Sequence, residues 1–167
     1  WLLETKLRAS DGDMNDRFGR AVAITDTIAA VGARLDDDLG EDSGSLYIFR
    51  YDGNQWNEEI KLQASDGGPL DNFGHSVSIS NDAVIVGARQ GGQTSSGAAY
   101  IFRFVNGEWI EDAILGAFQG SYLDEFGHSV SIDGNVAVVG AGGDDDNGNN
   151  SGCAYIFRYI FGQWFRT

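Results

Sequence analysis

Cysteine, proline and methionine occur once each, basic residues are outnumbered 11 to 25 by acidic ones, and no apolar run approaches the about 18 residues that a membrane-spanning helix needs. Each shortage excludes something. The lone Cys153 cannot form an internal disulfide, and its place in the repeat, held elsewhere by Ser45 and Ala98, gives it a small core position. Cysteine usage therefore leaves the compartment open. A formal charge of −14 with no basic stripe repels a phosphate backbone and excludes nucleic acid as a partner. Gly-x-Ser-x-Gly, His-Glu-x-x-His and a phosphate loop are all missing, and the carboxylates sit in recurring turns, where a glycosidase pair would be an accident of folding. The expectation is a protein without enzymatic activity. Neither a leader of charged, apolar and small residues nor an initiator Met precedes Trp1, which suits a processed product or a segment of a longer chain and leaves secretion open.

What is present is apolar material, 42% hydrophobic and 12% aromatic, together with 24 glycines in 167 residues. That composition suits a globular core of many short strands joined by tight turns. The strands repeat. Trp1, Trp56, Trp109 and Trp164 mark one phase, spaced 55, 53 and 55 residues apart. Phe18-Gly19, Phe73-Gly74 and Phe126-Gly127 mark a second, and Val31-Gly32-Ala33, Val86-Gly87-Ala88 and Val139-Gly140-Ala141 a third. A fourth is Tyr-Ile-Phe-Arg, ending at Arg50, Arg103 and Arg158. Repeats of about 1–52, 53–105 and 106–160 follow, with 161–167 starting a further one.

Each period holds four β-like runs, in the second copy Trp56 to Leu62, Gly74 to Ser80, Ala83 to Ala88 and Ala98 to Phe104. Ser76-Val77-Ser78-Ile79 alternates small and apolar, so one face is buried, whereas Ala83-Val84-Ile85-Val86 is apolar throughout and buried on both. Such a four-stranded antiparallel meander cannot bury two faces alone, and radial stacking about an axis is the known solution: an all-β propeller. The glycines after Phe suit close backbone approach near the axis, and those before Ala suit a bulge or packing against a neighbouring blade.

Phe-Gly opening one strand and Val-Gly-Ala closing the next resemble the FG-GAP repeats of integrin alpha-subunit head domains and many bacterial surface proteins. The bacterial type is the nearer likeness, with an Asp-rich turn and then Ser-Gly-small-Tyr-Ile-Phe-Arg, as in Gly143 to Arg158. The resemblance implies an extracellular or cell-surface protein with cations bound in blade loops. Propellers close with about four to eight blades, so three leave open faces and edges that missing chain or association must cover. Trp164 to Thr167 begins a fourth copy of the strand that Trp1 to Leu7 opens, and the last blade is expected to lack most of its outer strand. The segment carrying Trp1, Leu3 and Leu7 has the sequence to fill that gap in its own ring or a neighbour's by strand addition.

Two kinds of acidic turn are candidate cation sites. After Val-Gly-Ala, Asp36, Asp38 and Asp42, and likewise Asp144, Asp146 and Asn150, have the alternating oxygen ligands that calcium requires. Neither segment matches the integrin Asp-x-Asp-x-Asp-Gly-x-x-Asp loop, and the second copy has Gln90-Gly91-Gly92-Gln93-Thr94 with no acid. Before Phe-Gly, Asp11, Asp13 and Asn15 form a weaker set, and for both kinds Asx-rich solvated turns are the competing account. His75 and His128 share a repeat position with Arg20 and are expected to be structural, as are the recurring Arg50, Arg103 and Arg158. Asn149-Asn150-Ser151 is a glycosylation sequon, which would make the chain a glycoprotein.

The function expected is a secreted or surface-displayed module for protein contacts, through adhesion to another surface protein or self-association into a ring or filament. A carbohydrate-binding adhesin that takes glycans is the alternative, and a propeller-fold hydrolase the third reading.

Overall fold

The computed structural model describes residues 4–92, 95–117 and 120–167, and every regular element among them is a β-strand. Strands β1 (Ala21–Ile24), β2 (Ile28–Ala33), β3 (Ser45–Tyr51) and β4 (Trp56–Leu62) form one antiparallel sheet in sequence order. The second sheet is β5 (Phe73–Ser80), β6 (Ala83–Ala88), β7 (Ala98–Val105) and β8 (Glu108–Gly116). The third is β9 (Phe126–Asp133), β10 (Val136–Ala141), β11 (Cys153–Ile160) and β12 (Gln163–Arg166). Strands β1, β5 and β9 lie side by side as the inner strands, so the sheets are consecutive blades of an unclosed propeller.

The sheets run one strand out of phase with the sequence periods. Each Trp-led strand pairs with the Tyr-Ile-Phe-Arg strand before it: Trp56 opposes Tyr51, Trp109 opposes Phe104, and Trp164 opposes Tyr159. Tight hairpins impose this grouping. Asp52 Oδ1 accepts from the N–H groups of Asn54 and Gln55 while Gly53 takes φ +97, and Asn106-Gly107 supplies two positive φ angles. Residues 63–72 instead cross to the next sheet. The outer strand of the third sheet is therefore β12, shorter than β4 and β8, with its Trp164 in place.

Side chains alternate between the two faces of each sheet, and facing sheets bury them together. The trailing face of the first sheet (Ile28, Ala30, Leu46, Ile48) packs on the leading face of the second (Val84, Val86, Tyr100, Phe102), with Phe73 and Leu62 between. Ala83, Ile85, Ala99 and Ile101 repeat that packing against Val139, Ala137 and Phe157 of the third. Phe73 and Phe126 stand edge-on to Phe102 and Phe157, which explains why the repeat demands an aromatic there.

Close to the axis the seam is made of backbone. A Cβ on Gly32 would lie 2.1 Å from the Gly74 carbonyl oxygen, and one on Gly87 1.9 Å from that of Gly127. Gly74 and Gly127 in turn take φ of +86 and +88, open to glycine at little cost. Beside them the Phe73 N–H donates to the Ser43 carbonyl and the Phe126 N–H to that of Ser96, both at 2.9 Å. Phe-Gly, Val-Gly-Ala and Ser-Gly are thus three parts of one blade-to-blade contact.

At the rim, Arg50 and Arg103 each join two blades. Arg50 Nε donates to Glu59 at 2.9 Å and stacks 4.4 Å over the Phe104 ring of the next sheet. Arg103 pairs with Asp112 at 2.9 Å and lies 4.1 Å over Tyr159, while the Trp164 indole N–H donates to the same carboxylate. The acid is in the arginine's own sheet and the aromatic in the next. Because a lysine reproduces neither the fork nor the stacking, Arg103→Lys is expected to cost about 1 kcal/mol. A tryptophan-fluorescence melt would register this as a lower Tm, and an unchanged Tm would make Arg103 a solvated surface residue.

Candidate functional site

Asp11, Asp36 and Asp38 do come together, but around an ammonium group of the protein. Lys61 Nζ, on β4, lies 2.9 Å from Asp11, 2.9 Å from Asp36 and 2.6 Å from Asp38. The Tyr47 hydroxyl donates to Asp11 at 2.7 Å and lies 3.1 Å from Asp36, whose other oxygen accepts from the Ser45 hydroxyl. Burial pulls the Lys61 pKa down, yet the bonds to Asp38, Asp36, Asp11 and Tyr47 outweigh it and hold it above the ordinary lysine value. The Lys61 bond, then that of Tyr47, pulls the Asp11 carboxyl below its usual range. Sequence reasoning missed Lys61, whose only signal was a basic residue where the second repeat has Ile114.

The other proposed ligands do not converge. Asp42 takes φ +55 and is capped through its N–H by Asp37, and in the third turn Asp145 caps Asn150 in the same way. Asp144 is buried, with Cys153 Sγ 3.1 Å and the Tyr155 hydroxyl 3.5 Å from its Oδ2, and its Oδ1 accepts from the Asp146 N–H. Asp13 accepts from the Met14 N–H, and Asn15 sits at φ 76 in the turn. Among the described residues no group of three or more His, Cys, Asp or Glu is disposed to hold a metal ion. The donor set does not fit calcium while Lys61 is in place, and Asp37, Asp144 and Asp145 spend a carboxylate oxygen on backbone N–H groups of their own turns. Asn149 of the sequon is exposed.

At the inner end of the seams the basic residues gather. Arg34, after β2, reaches across to Asn72 at 2.5 Å, and Arg89, after β6, reaches Glu125 at 3.2 Å. His75 and His128 face each other across the second and third sheets with ring centroids 5.2 Å apart. Burial first, then Arg89, His128, Arg34 and Arg20, push the His75 pKa down to about 4, so it is neutral near pH 7. Arg34 and Arg89, each following Val-Gly-Ala, were a repeat signal that sequence reasoning left unread.

Each end of the blade stack presents half of a seam. On the third sheet, Val138 and Ile156 are 38% and 43% exposed, although the same positions in the first two sheets, Ala30, Ile48, Ile85 and Ile101, are fully buried. On the first sheet, Val22 and Ile24 are 66% and 69% exposed, and nothing lies within 4 Å of a Cβ on Gly19, the counterpart of Gly74. Residues 4–18 form no strand, yet make the contacts that an outer strand makes with the next blade. Glu4 accepts from the Trp56 indole as Glu59 does from Trp109, Ser10 binds Glu58 as Ser65 binds Glu111, and Leu7 packs under the first sheet. Trp1 and Leu3 lie outside the described residues. On the third sheet β12 pairs with Phe157–Ile160 of β11, and Thr167 adds a bond to Ile156.

Comparison with known proteins bears on the fold. No curated protein matches the chain. Among solved structures, a hypothetical selenium-binding protein from Sulfolobus tokodaii is similar with a TM-score of 0.52 at 12% identity, over 84% of this chain and 37% of that one. The chain thus spans little more than a third of that protein's length, and the likeness is one of fold. The FG-GAP repeat family matches three times, at residues 1–49, 56–102 and 109–157, in step with the glycine seams, and the chain belongs to that family.

Proposed function

We propose that this chain is a non-catalytic, extracellular interaction module that associates through its open blade faces with further copies of itself. FG-GAP repeats characterise protein-interaction and adhesion modules that are generally non-catalytic and typical of extracellular proteins. No helix among the described residues is long and apolar enough to cross a membrane. The observation that carries the reading is the half-seam at each end: Gly140, Val138 and Ile156 on one face, Gly19, Val22 and Ile24 on the other. The two halves match each other in kind, as the internal seams do, and such a heterologous contact builds a ring if its rotation closes and a filament if it does not. Arg17 and Gly142 support the pairing. They occupy the acceptor and donor positions of the Arg34–Asn72 and Arg89–Glu125 contacts, and glycine opposite Arg17 avoids an arginine pair.

The native mass by light scattering tests this. Particles larger than one chain are expected, and Gly140→Ala should abolish them while leaving the thermal transition in place. Within the isolated chain a Cβ at 140 meets only the Ser129 side chain closely, whereas in a seam it would meet a backbone carbonyl. A compact monomer at every concentration would overturn the reading.

A further inference from the structure

We propose that the inner end of the blade stack, where Arg20, Arg34, His75, Arg89 and His128 converge, is a binding site for a multivalent oxyanion of the phosphate, sulfate or polycarboxylate kind. In a chain of net charge −14 these residues form a local concentration of the opposite sign. Their own partners fall short of it. Glu125 is the carboxylate paired with the cluster, accepting from Arg89 at 3.2 Å and facing His128 at 3.1 Å, while Arg34 has the neutral Asn72. Asp42 lies near enough to act on Arg34 electrostatically, against Arg89, Arg20 and Arg17. Asp16, Asp71 and Asp124 precede the same strands, but each turns its carboxylate to a backbone N–H of its own turn, at Asp13, Gly68 and Ser121.

Donors are left over. Arg34 Nε, Arg89 Nε and His75 Nδ1 are buried and have no hydrogen-bond partner. The two guanidinium Nε–H groups are buried donors beside like charges, His75 Nδ1 becomes a third when the imidazole is protonated, and an oxyanion satisfies them together. Guanidinium forks match phosphate, sulfate and carboxylate oxygens in geometry as well as charge. In the single chain the third sheet leaves the cluster open. It has Gly142 where the others have arginine, a Cβ there would lie 4.0 Å from His128 Cγ, and the His128 side chain remains 49% exposed.

The test is calorimetric titration of the protein in its native assembly state with sodium sulfate, inorganic phosphate and citrate, each against sodium chloride of equal ionic strength. Proton NMR would follow the chain's two imidazoles in parallel. Saturable binding is expected that moves both imidazole signals and raises the His75 titration midpoint above about 4. Sulfate or phosphate as the tighter ligand makes the natural group a phosphate or sulfate ester, and citrate makes it a carboxylate. Arg34→Gln combined with Arg89→Gln should weaken binding at least about tenfold, equivalent to about 1.4 kcal/mol. Gly142→Glu, which sets a carboxylate beside His128, should compete it away, and light scattering on the variant separates this loss from any change in assembly at the Arg17 contact. Imidazole signals that respond to no oxyanion beyond the chloride control, or binding that persists in Gly142→Glu, would overturn the proposal.

Discussion

Gly87→Ala lowers the stability of the folded protein by about 3 kcal/mol or more, while Gly140→Ala, at the same position of the repeat, lowers it by less than about 1. The substitution is chemically identical at both places, and the glycine entropy it removes from the unfolded chain is the same, so the difference isolates the seam. At 87 the new methyl would stand 1.9 Å from the Gly127 carbonyl oxygen and 2.8 Å from its carbon. That backbone is anchored by the Phe126 N–H bond to Ser96 and cannot retreat without parting the second and third sheets. At 140 the nearest atom is Ser129 Oγ at 2.4 Å, the end of a side chain free to change rotamer, and the next is at 3.7 Å. Urea midpoints of dispersed protein, with m-values checked for constancy, give the comparison. Equal losses at the two positions would mean that the glycines serve strand geometry alone.

Lys61→Met is expected to destabilise by about 2–3 kcal/mol at pH 7, because it removes the cation from three converging carboxylates while keeping the aliphatic stem. Asp36, with its side chain only 5% exposed, bears most of this, and water screens Asp11 and Asp38 at 48% and 54%. The pH dependence follows from the directions of the shifts. The raised Lys61 pKa contributes stability that is complete below the unfolded value of about 10.4 and is lost as pH climbs through the folded one. The lowered Asp11 pKa contributes stability that is complete above about 3.9 and is lost as pH falls through its folded value. Between these limits the wild-type contribution is flat. In the variant the acids repel one another and take up protons more readily, so the deficit should shrink from pH 7 to pH 5, and calcium should reduce it at pH 7. Denaturation midpoints at both pH values, with and without calcium, measure this. A deficit indifferent to both would reduce Lys61 to packing.

The repeat made the strands legible, since the strict alternation in Ser76-Val77-Ser78-Ile79 and the apolar run of Ala83-Val84-Ile85-Val86 mark their faces directly. It did not show which strand closes a sheet. Both Trp56 to Leu62 and its neighbours pair antiparallel with whatever lies adjacent, and the hairpin at Asp52–Gln55, rather than the period, decided that β4 joins β3. The acidic turn shows the same limit. Asp36, Asp38 and Asp42 have the spacing of a cation loop, but spacing along a turn does not say where a lysine 23 residues beyond Asp38 will place its ammonium.

The sequence by itself determined the all-β class, the three blades and the strand faces, because these depend on periodicity and local pattern. Only the tertiary structure decided that Gly87 stands against Gly127, that Lys61 supplies the cation to the acidic turn, and that Arg34, Arg89, His75 and His128 share one axial end. Those facts depend on contacts between segments distant in the chain, within a blade for Lys61 and between blades for the others, and packing, not local pattern, sets them.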